Sequence, residues 1–183
     1  MALREIVHYP HEALTRPTEP VTDCGPELRQ LVADMAETMY ANHGLGLAAN
    51  QVAVSRRVVV IDLGPEEQED GTVRPGKLHV FVNPEIVRRE GKITWEEGCL
   101  SFPGLNVPIH RAAAATVRAF DEHGQPFELA GEGLLAVAFQ HELDHLDGIT
   151  MIDRLGRIGR KLALRRYERL LLDPEAGDEP GED

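Results

Sequence analysis

Hydrophobic positions along the chain follow two spacings, and the change from one to the other marks its elements. Leu28, Leu31, Val32, Met35 and Met39 recur at helical intervals behind Pro26, which predicts a helix to about Tyr40 with one apolar face and its methionines filling core space. Val58–Leu63 is instead a run rich in β-branched residues and predicts a buried strand. Leu78–Val82 predicts another, ending at Asn83-Pro84, and Glu85–Gly91 with Lys92–Trp95 predicts a hairpin-like pair. Val107–Ile109, Ala113–Phe120 and Gln125–Leu129 add strands, the last two joined by the turn Asp121-Glu122-His123-Gly124. Helical spacing returns at Leu134 and stops at Asp147-Gly148. A brief extended piece at Ile149–Asp153 then leads into a helix reaching toward Leu172. The first 25 residues, broken by Pro10, Pro17, Pro20 and Gly25, read as an extended piece at Ile6–Tyr9 followed by an ordered loop.

The helix that begins near Leu134 carries the chemistry. Leu134, Val137, His141 and His145 share one face, so an apolar stripe runs directly into two imidazoles one turn apart. Neutral imidazoles at that spacing can hold one divalent ion, and Glu142 beside them can take a proton from a water. Either histidine alone would equally serve as a hydrogen-bonded core residue. Leu135, Phe139, Leu143 and Leu146 cover the remaining sides, which predicts a helix surrounded by protein. Two ligands leave a metal site incomplete. Cys99 is either a small buried thiol or the third ligand, and Cys/His/His would leave a fourth position open. Asp144 lies off the ligand phase, so a supporting or surface interaction is expected of it, while Glu97 is expected to support the local backbone with Arg111 pairing nearby. His123 belongs to a turn and faces solvent.

Composition narrows the setting. At 183 residues with 42% hydrophobic content, the chain suits one domain, residues 1–172, followed by an acidic tail over 173–183. The formal charge of -12 is uneven. Four acids fall in Gly64–Gly71 and six in Asp173–Asp183; without those ten, 21 acids face 19 basic residues. The segment from Gly64 to Gly76 therefore reads as an exposed acidic loop. Two cysteines, Cys24 and Cys99, make no disulfide scaffold. No segment approaches a membrane span and Met1–Glu5 lacks the apolar core of a signal peptide, so a soluble, reducing compartment is the expectation. Arg154, Arg157, Arg160, Lys161, Arg165, Arg166 and Arg169 make the last helix basic, either as a solvated face or as a docking surface for RNA or a ribosome.

Three separated motifs now coincide: Gly44-Leu45-Gly46-Leu47-Ala48-Ala49-Asn50-Gln51, Glu97-Gly98-Cys99-Leu100-Ser101 and His141-Glu142-Leu143-Asp144-His145. Together they resemble the peptide deformylase family across roughly residues 3 to 170. The resemblance implies an α+β fold, with antiparallel β-sheets around a central metal-ligand helix and helices at either end of the chain. It implies hydrolysis of the formyl group from N-terminal formylmethionine of new bacterial polypeptides in the cytoplasm; of the oligomeric states, which the sequence leaves open, a monomer is favoured. Cys99, His141 and His145 become the ligands of Fe2+, a site that Zn2+, Ni2+ or Co2+ can also occupy, and Glu142 the acid/base. The Gln51 amide and Leu100 backbone N–H become the oxyanion donors. Leu45 and Gly46 become substrate-edge contacts; Trp95, Leu134, Val137 and Ala138, with His141, the methionine pocket. Trp95 and Val137 would equally serve as core packing. Asn50 stands where many members have proline, and Asn106 where some have arginine. The competing classes are another metal-dependent amidase or peptidase and a noncatalytic metal-stabilised binding domain.

Overall fold

A computed structural model describes residues 2–64, 66, 67, 73, 74 and 76–172. Helix α1 spans Pro26–Ala41, its proline in the first turn, where a missing N–H costs nothing. Strands β1 (Gly46–Ala48), β2 (Val58–Ile61), β5 (His79–Glu90), β8 (Ala114–Phe120) and β9 (Pro126–Glu132) form one antiparallel sheet in the order β1-β2-β5-β8-β9. Strands β3 (Glu66–Glu67) and β4 (Val73–Arg74) form a two-residue ladder, and β6 (Ile93–Cys99) pairs with β7 (Phe102–Arg111). Helix α2 spans Leu134–Leu146 and α3 Arg157–Leu172. The α+β architecture and the helices at either end are as expected.

All four residues of β2 are buried because the sheet is covered on both faces. Side chains alternate along a strand: Val58 and Val60 join Leu28, Met35 and Met39 of α1, whereas Val59 and Ile61 join Ala136, Phe139 and Leu146 of α2. A third cluster lies under α3, where Ala163, Tyr167 and Leu170 pack on Phe102, Leu105, Val107 and Ile109 of β7. Every residue of α2 from Phe139 to Leu146 is buried. The metal-ligand helix is thus wrapped by protein.

Three expectations need correction. Strand β5 does not stop at Asn83-Pro84 but runs through it to Glu90. Asn83 takes φ +51, its side-chain amide clamps the N–H and C=O of Val21 at 2.8 Å each, and the pairing with β8 shifts register there. A bulge accommodates the proline that would otherwise break a central strand. Glu85–Glu90 accordingly pairs with β8, and Ile93–Trp95 belongs to β6, whose partner is β7. The extended piece expected at Ile6–Tyr9 is tied down from outside the sheets, Val7 N–H donating to Gln51 O and Tyr9 N–H to Ser101 O, and a 3-10 turn follows at Glu12–Thr15 in the loop. Met151–Arg154 is likewise a 3-10 turn, held because Asp153 accepts from both the N–H and the hydroxyl of Thr150. Of the acidic loop, residues 65, 68–72 and 75 lie outside the described residues, as does the tail 173–183. Among the described residues no helix is long and apolar enough to cross a membrane.

Candidate metal centre

Helical pitch brings the Nε2 atoms of His141 and His145 to 3.2 Å, and Cys99 Sγ lies 3.2 Å from His145 Nε2. Cys99 arrives at the end of β6, where the ladder to β7 shifts register between Gly98 and Cys99. The three donor atoms lie within 4.8 Å of one another. Three electron-rich atoms facing one point repel unless a cation or proton lies between them, and two imidazoles with a thiolate are a favourable set for a divalent transition metal. Cys24 and Cys99 are both free thiols.

Glu97 and Arg111 orient the first imidazole. Glu97 Oε2 stands 2.8 Å from His141 Nδ1, which leaves Nε2 directed at the site. Arg111 forks onto Glu97 through Nε and Nη2 at 2.7 and 2.9 Å, and its Nη1 reaches Asp144 at 2.5 Å. Arg154 grips Asp144 from the other side, with Nε at 2.8 Å. Glu97 therefore supports a ligand rather than the local backbone, and Asp144 is buried between two guanidiniums rather than on the surface. Burial alone would raise the Glu97 carboxyl, but the hydrogen bonds from Arg111 and His141 outweigh it and bring it down to about 2. Burial also works to discharge both imidazoles. It takes His145 well below its ordinary value, whereas Cys99 and Glu97 reverse the sign at His141 and hold it well above.

Glu142 differs in kind from Glu97. Burial pushes its carboxyl up to about 7, and its Oε2 has no hydrogen-bond partner among the described residues. Space for it is made by Gly46, where any Cβ would overlap the Glu142 carboxylate. A buried carboxyl near neutrality, beside three converging donors, can accept and return a proton. Gln51 is fixed end to end: Oε1 accepts from Ala48 N–H at 2.9 Å, so Nε2 is the end that faces Ser101 Oγ at 3.2 Å and Cys99 Sγ at 3.5 Å. Its neighbour Asn50 donates from Nδ2 to the carbonyl oxygens of His145, at 2.5 Å, and Ala13, at 3.2 Å. The turn carrying Gln51 is thus strapped to the end of α2.

A cleft of about 700 Å³ opens over these groups. Leu45, Gly46, Gln51, Trp95, Cys99, Leu100, Leu134, Val137, Ala138, His141 and Glu142 all line it. His145 does not; it lies behind, 1% exposed. The cleft also takes in Ile6, His8, His43 and Leu105, which no spacing in the sequence singles out. His123 is exposed in its turn, as expected, and its backbone N–H donates to Asp121.

Comparison with known proteins agrees with this arrangement. The family model described as polypeptide deformylase matches residues 3–161. A peptide deformylase of Aquifex aeolicus is 51% identical over 169 residues, covering 92% of this chain and 97% of the relative. One from Acidobacterium capsulatum is 48% identical over 170 residues, covering 93% and 96%. Among solved structures, a peptide deformylase from Legionella pneumophila superimposes with a TM-score of 0.83 at 40% identity, covering 98% of this chain and 100% of that one.

Proposed function

The chain belongs to the peptide deformylase family, and from that premise we propose how its residues divide the reaction and which ion serves it. It is a metal-dependent hydrolase that removes the formyl group from N-terminal formylmethionine of polypeptides. One observation carries the chemistry: Cys99, His141 and His145 converge on a point beside a buried carboxyl whose Oε2 has no partner among the described residues.

Bound by Cys99, His141 and His145, a divalent ion supplies a Lewis acid that polarises the formyl carbonyl and eases deprotonation of a water beside it. Glu142 receives the proton as the water oxygen bonds to the formyl carbon. The C–N bond then breaks, Glu142 returns the proton to the departing nitrogen, and formate and a free amine result. Gln51 Nε2–H and the Leu100 backbone N–H donate to the carbonyl oxygen as negative charge gathers there. Trp95, Leu134, Val137 and Ala138 offer an elongated apolar wall for an unbranched methionine side chain. Gly46 opens β1, the outer strand of its sheet, with Leu45 just before it, and that edge can pair with an extended peptide.

The ion in this reading is Fe2+. A thiolate and two imidazoles would also hold Zn2+, Ni2+ or Co2+; family resemblance supports iron. The catalytic unit is residues 1–172, acting as a monomer in the bacterial cytoplasm, where Cys99 stays reduced. Transient ribosome contact falls to the basic side of α3. Formate release from a formyl-Met-Ala-Ser peptide, by enzyme prepared anaerobically and loaded with one ion at a time, tests the reading. Faster turnover with Fe2+ than with Zn2+ is expected. Equal rates would remove the iron assignment, and no release from any fully loaded form would remove the proposed reaction.

A further inference from the structure

The metal-bearing cleft has a larger neighbour. A second cleft, of about 910 Å³, runs between β7 and α3. Leu155, Leu162, Ala163 and Leu172 give it an apolar wall, with Leu162 58% and Leu172 87% exposed. Arg165, Arg166 and Arg169 outnumber Glu96 and Glu168 along it. Gly159 adds to its depth. A Cβ there would meet Leu155 Cβ at an ordinary 3.4 Å, so packing would accept a methyl, and alanine would suit the helix better.

The two clefts adjoin. Glu96 and Asn106 line both, and they stand two rungs apart on the β6-β7 ladder, where Gly98 pairs with Asn106 and Glu96 with Pro108. Arg166 Nη1 donates to Asn106 O at 3.5 Å where the clefts meet. A polypeptide whose formylated end sits at the metal site must leave that cleft somewhere, and this exit is lined with what an extended chain can use. Alternate side chains of such a chain face one way, so apolar ones can cover Leu162 and Leu172 while carboxylates meet the guanidiniums.

We propose that the cleft between β7 and α3 is a second docking segment for the polypeptide substrate, which takes residues beyond the first few and favours apolar and acidic side chains there. The proposal rests on the deformylase reading and adds a downstream specificity to it. Arg157 and Lys161 do not line this cleft, which leaves them for a separate contact.

Steady-state kinetics on iron-loaded enzyme test it, with formyl-Met-Ala-Ser and two ten-residue peptides sharing that start. One continues with leucine and aspartate, the other with glycine and serine. The leucine-aspartate peptide is expected to show a KM about tenfold lower than the glycine-serine one, the scale of one buried leucine, with equal kcat. Leu162→Glu, at an exposed position, should erase that difference and leave tripeptide kinetics and the melting temperature unchanged. Active tripeptide turnover with a KM indifferent to downstream sequence, or a preference that survives Leu162→Glu, would overturn this proposal alone. An inactive tripeptide would overturn the parent reading with it. Light scattering on both proteins closes the other route: a wild-type dimer that Leu162→Glu makes monomeric would assign the cleft to a second copy of the chain instead.

Discussion

On one side of the three donor atoms stand Glu97, Arg111 and Asp144, all charged and all buried; on the other stand Asn50, Gln51 and Ser101, neutral and just as buried. The charged side spends its hydrogen bonds internally. Each Glu97 oxygen meets Arg111, one also meets His141, and Asp144 is held by Arg111 and Arg154. Charges in a medium of low dielectric demand partners, so these serve to fix an imidazole. The neutral side is anchored at one end and turned to the site at the other: the Gln51 carbonyl is taken by Ala48 N–H, and its amide nitrogen donates to Ser101 Oγ and faces Cys99 Sγ. An amide can donate where charge develops during reaction without placing a fixed charge beforehand. Side by side, the two regions separate holding the site from reacting in it.

The largest test of that separation dismantles the charged side. Arg111→Ala leaves the Glu97 carboxylate buried without its guanidinium, and loss of one partner from a buried pair costs about 3–5 kcal/mol. Urea unfolding should show a drop of that order. Arg111→Lys should recover little of it, because one ammonium cannot fork across both Glu97 oxygens. A drop below about 1 kcal/mol would mean that solvent or Arg154 replaces Arg111 at negligible cost, and the charged side would lose its structural role.

On the neutral side the effect should move from stability to rate. Gln51→Ala is expected to lose about 3 kcal/mol of transition-state stabilisation, roughly a hundredfold in turnover, with metal content unchanged. Its unfolding midpoint should fall by less than that of Arg111→Ala. Near-wild-type turnover at matched metal content would remove Gln51 from the reaction.

A carboxylate remote from both sides sets the small end of the scale. Asp34 is held below the ordinary carboxyl range chiefly by the Ala2 backbone N–H, then by Gln30; burial works the other way and Arg4 adds a further lowering. A depressed folded value means that its contribution is present above the unfolded value, about 3.9, and is lost as pH falls through the folded one. Asp34→Asn should flatten the loss of stability below about pH 4, by less than either change above. An unchanged acid limb would remove the contribution assigned to Asp34.

What could be read from sequence follows the reach of each signal. Helices α1 and α2 appear almost residue for residue because their period is local and strong. Strand β5 was hidden because Asn83-Pro84 reads as a stop; what carries the strand through is an amide clamp to Val21, a contact that no window around residue 83 contains. Strands β6 and β7 were legible only in part, as Lys92–Trp95 and Val107–Ile109, for a different reason. Glu97 occupies an inward position where alternation expects an apolar residue, and its compensation, Arg111, comes fourteen residues later. The same distinction governs the site. The spacing of His141 and His145, with Cys99 in its motif, announces a ligand set, but the link from His141 through Glu97 to Arg111 exists only once β6 lies against α2. Asn50, singled out only for standing where many family members have proline, turns out to grip His145 O, ninety-five positions away.

The central claim is that the ligands hold the ion while Glu142, which the comparison leaves between the two sides, moves the proton. The most direct measurement is formate release from formyl-Met-Ala-Ser by Glu142→Gln, with iron quantified on the same sample. Glutamine keeps the shape and removes the acid/base function. One iron per chain with turnover lowered by about 10²- to 10⁴-fold is the expected result. Turnover within a few-fold of wild type at full iron occupancy would contradict the account.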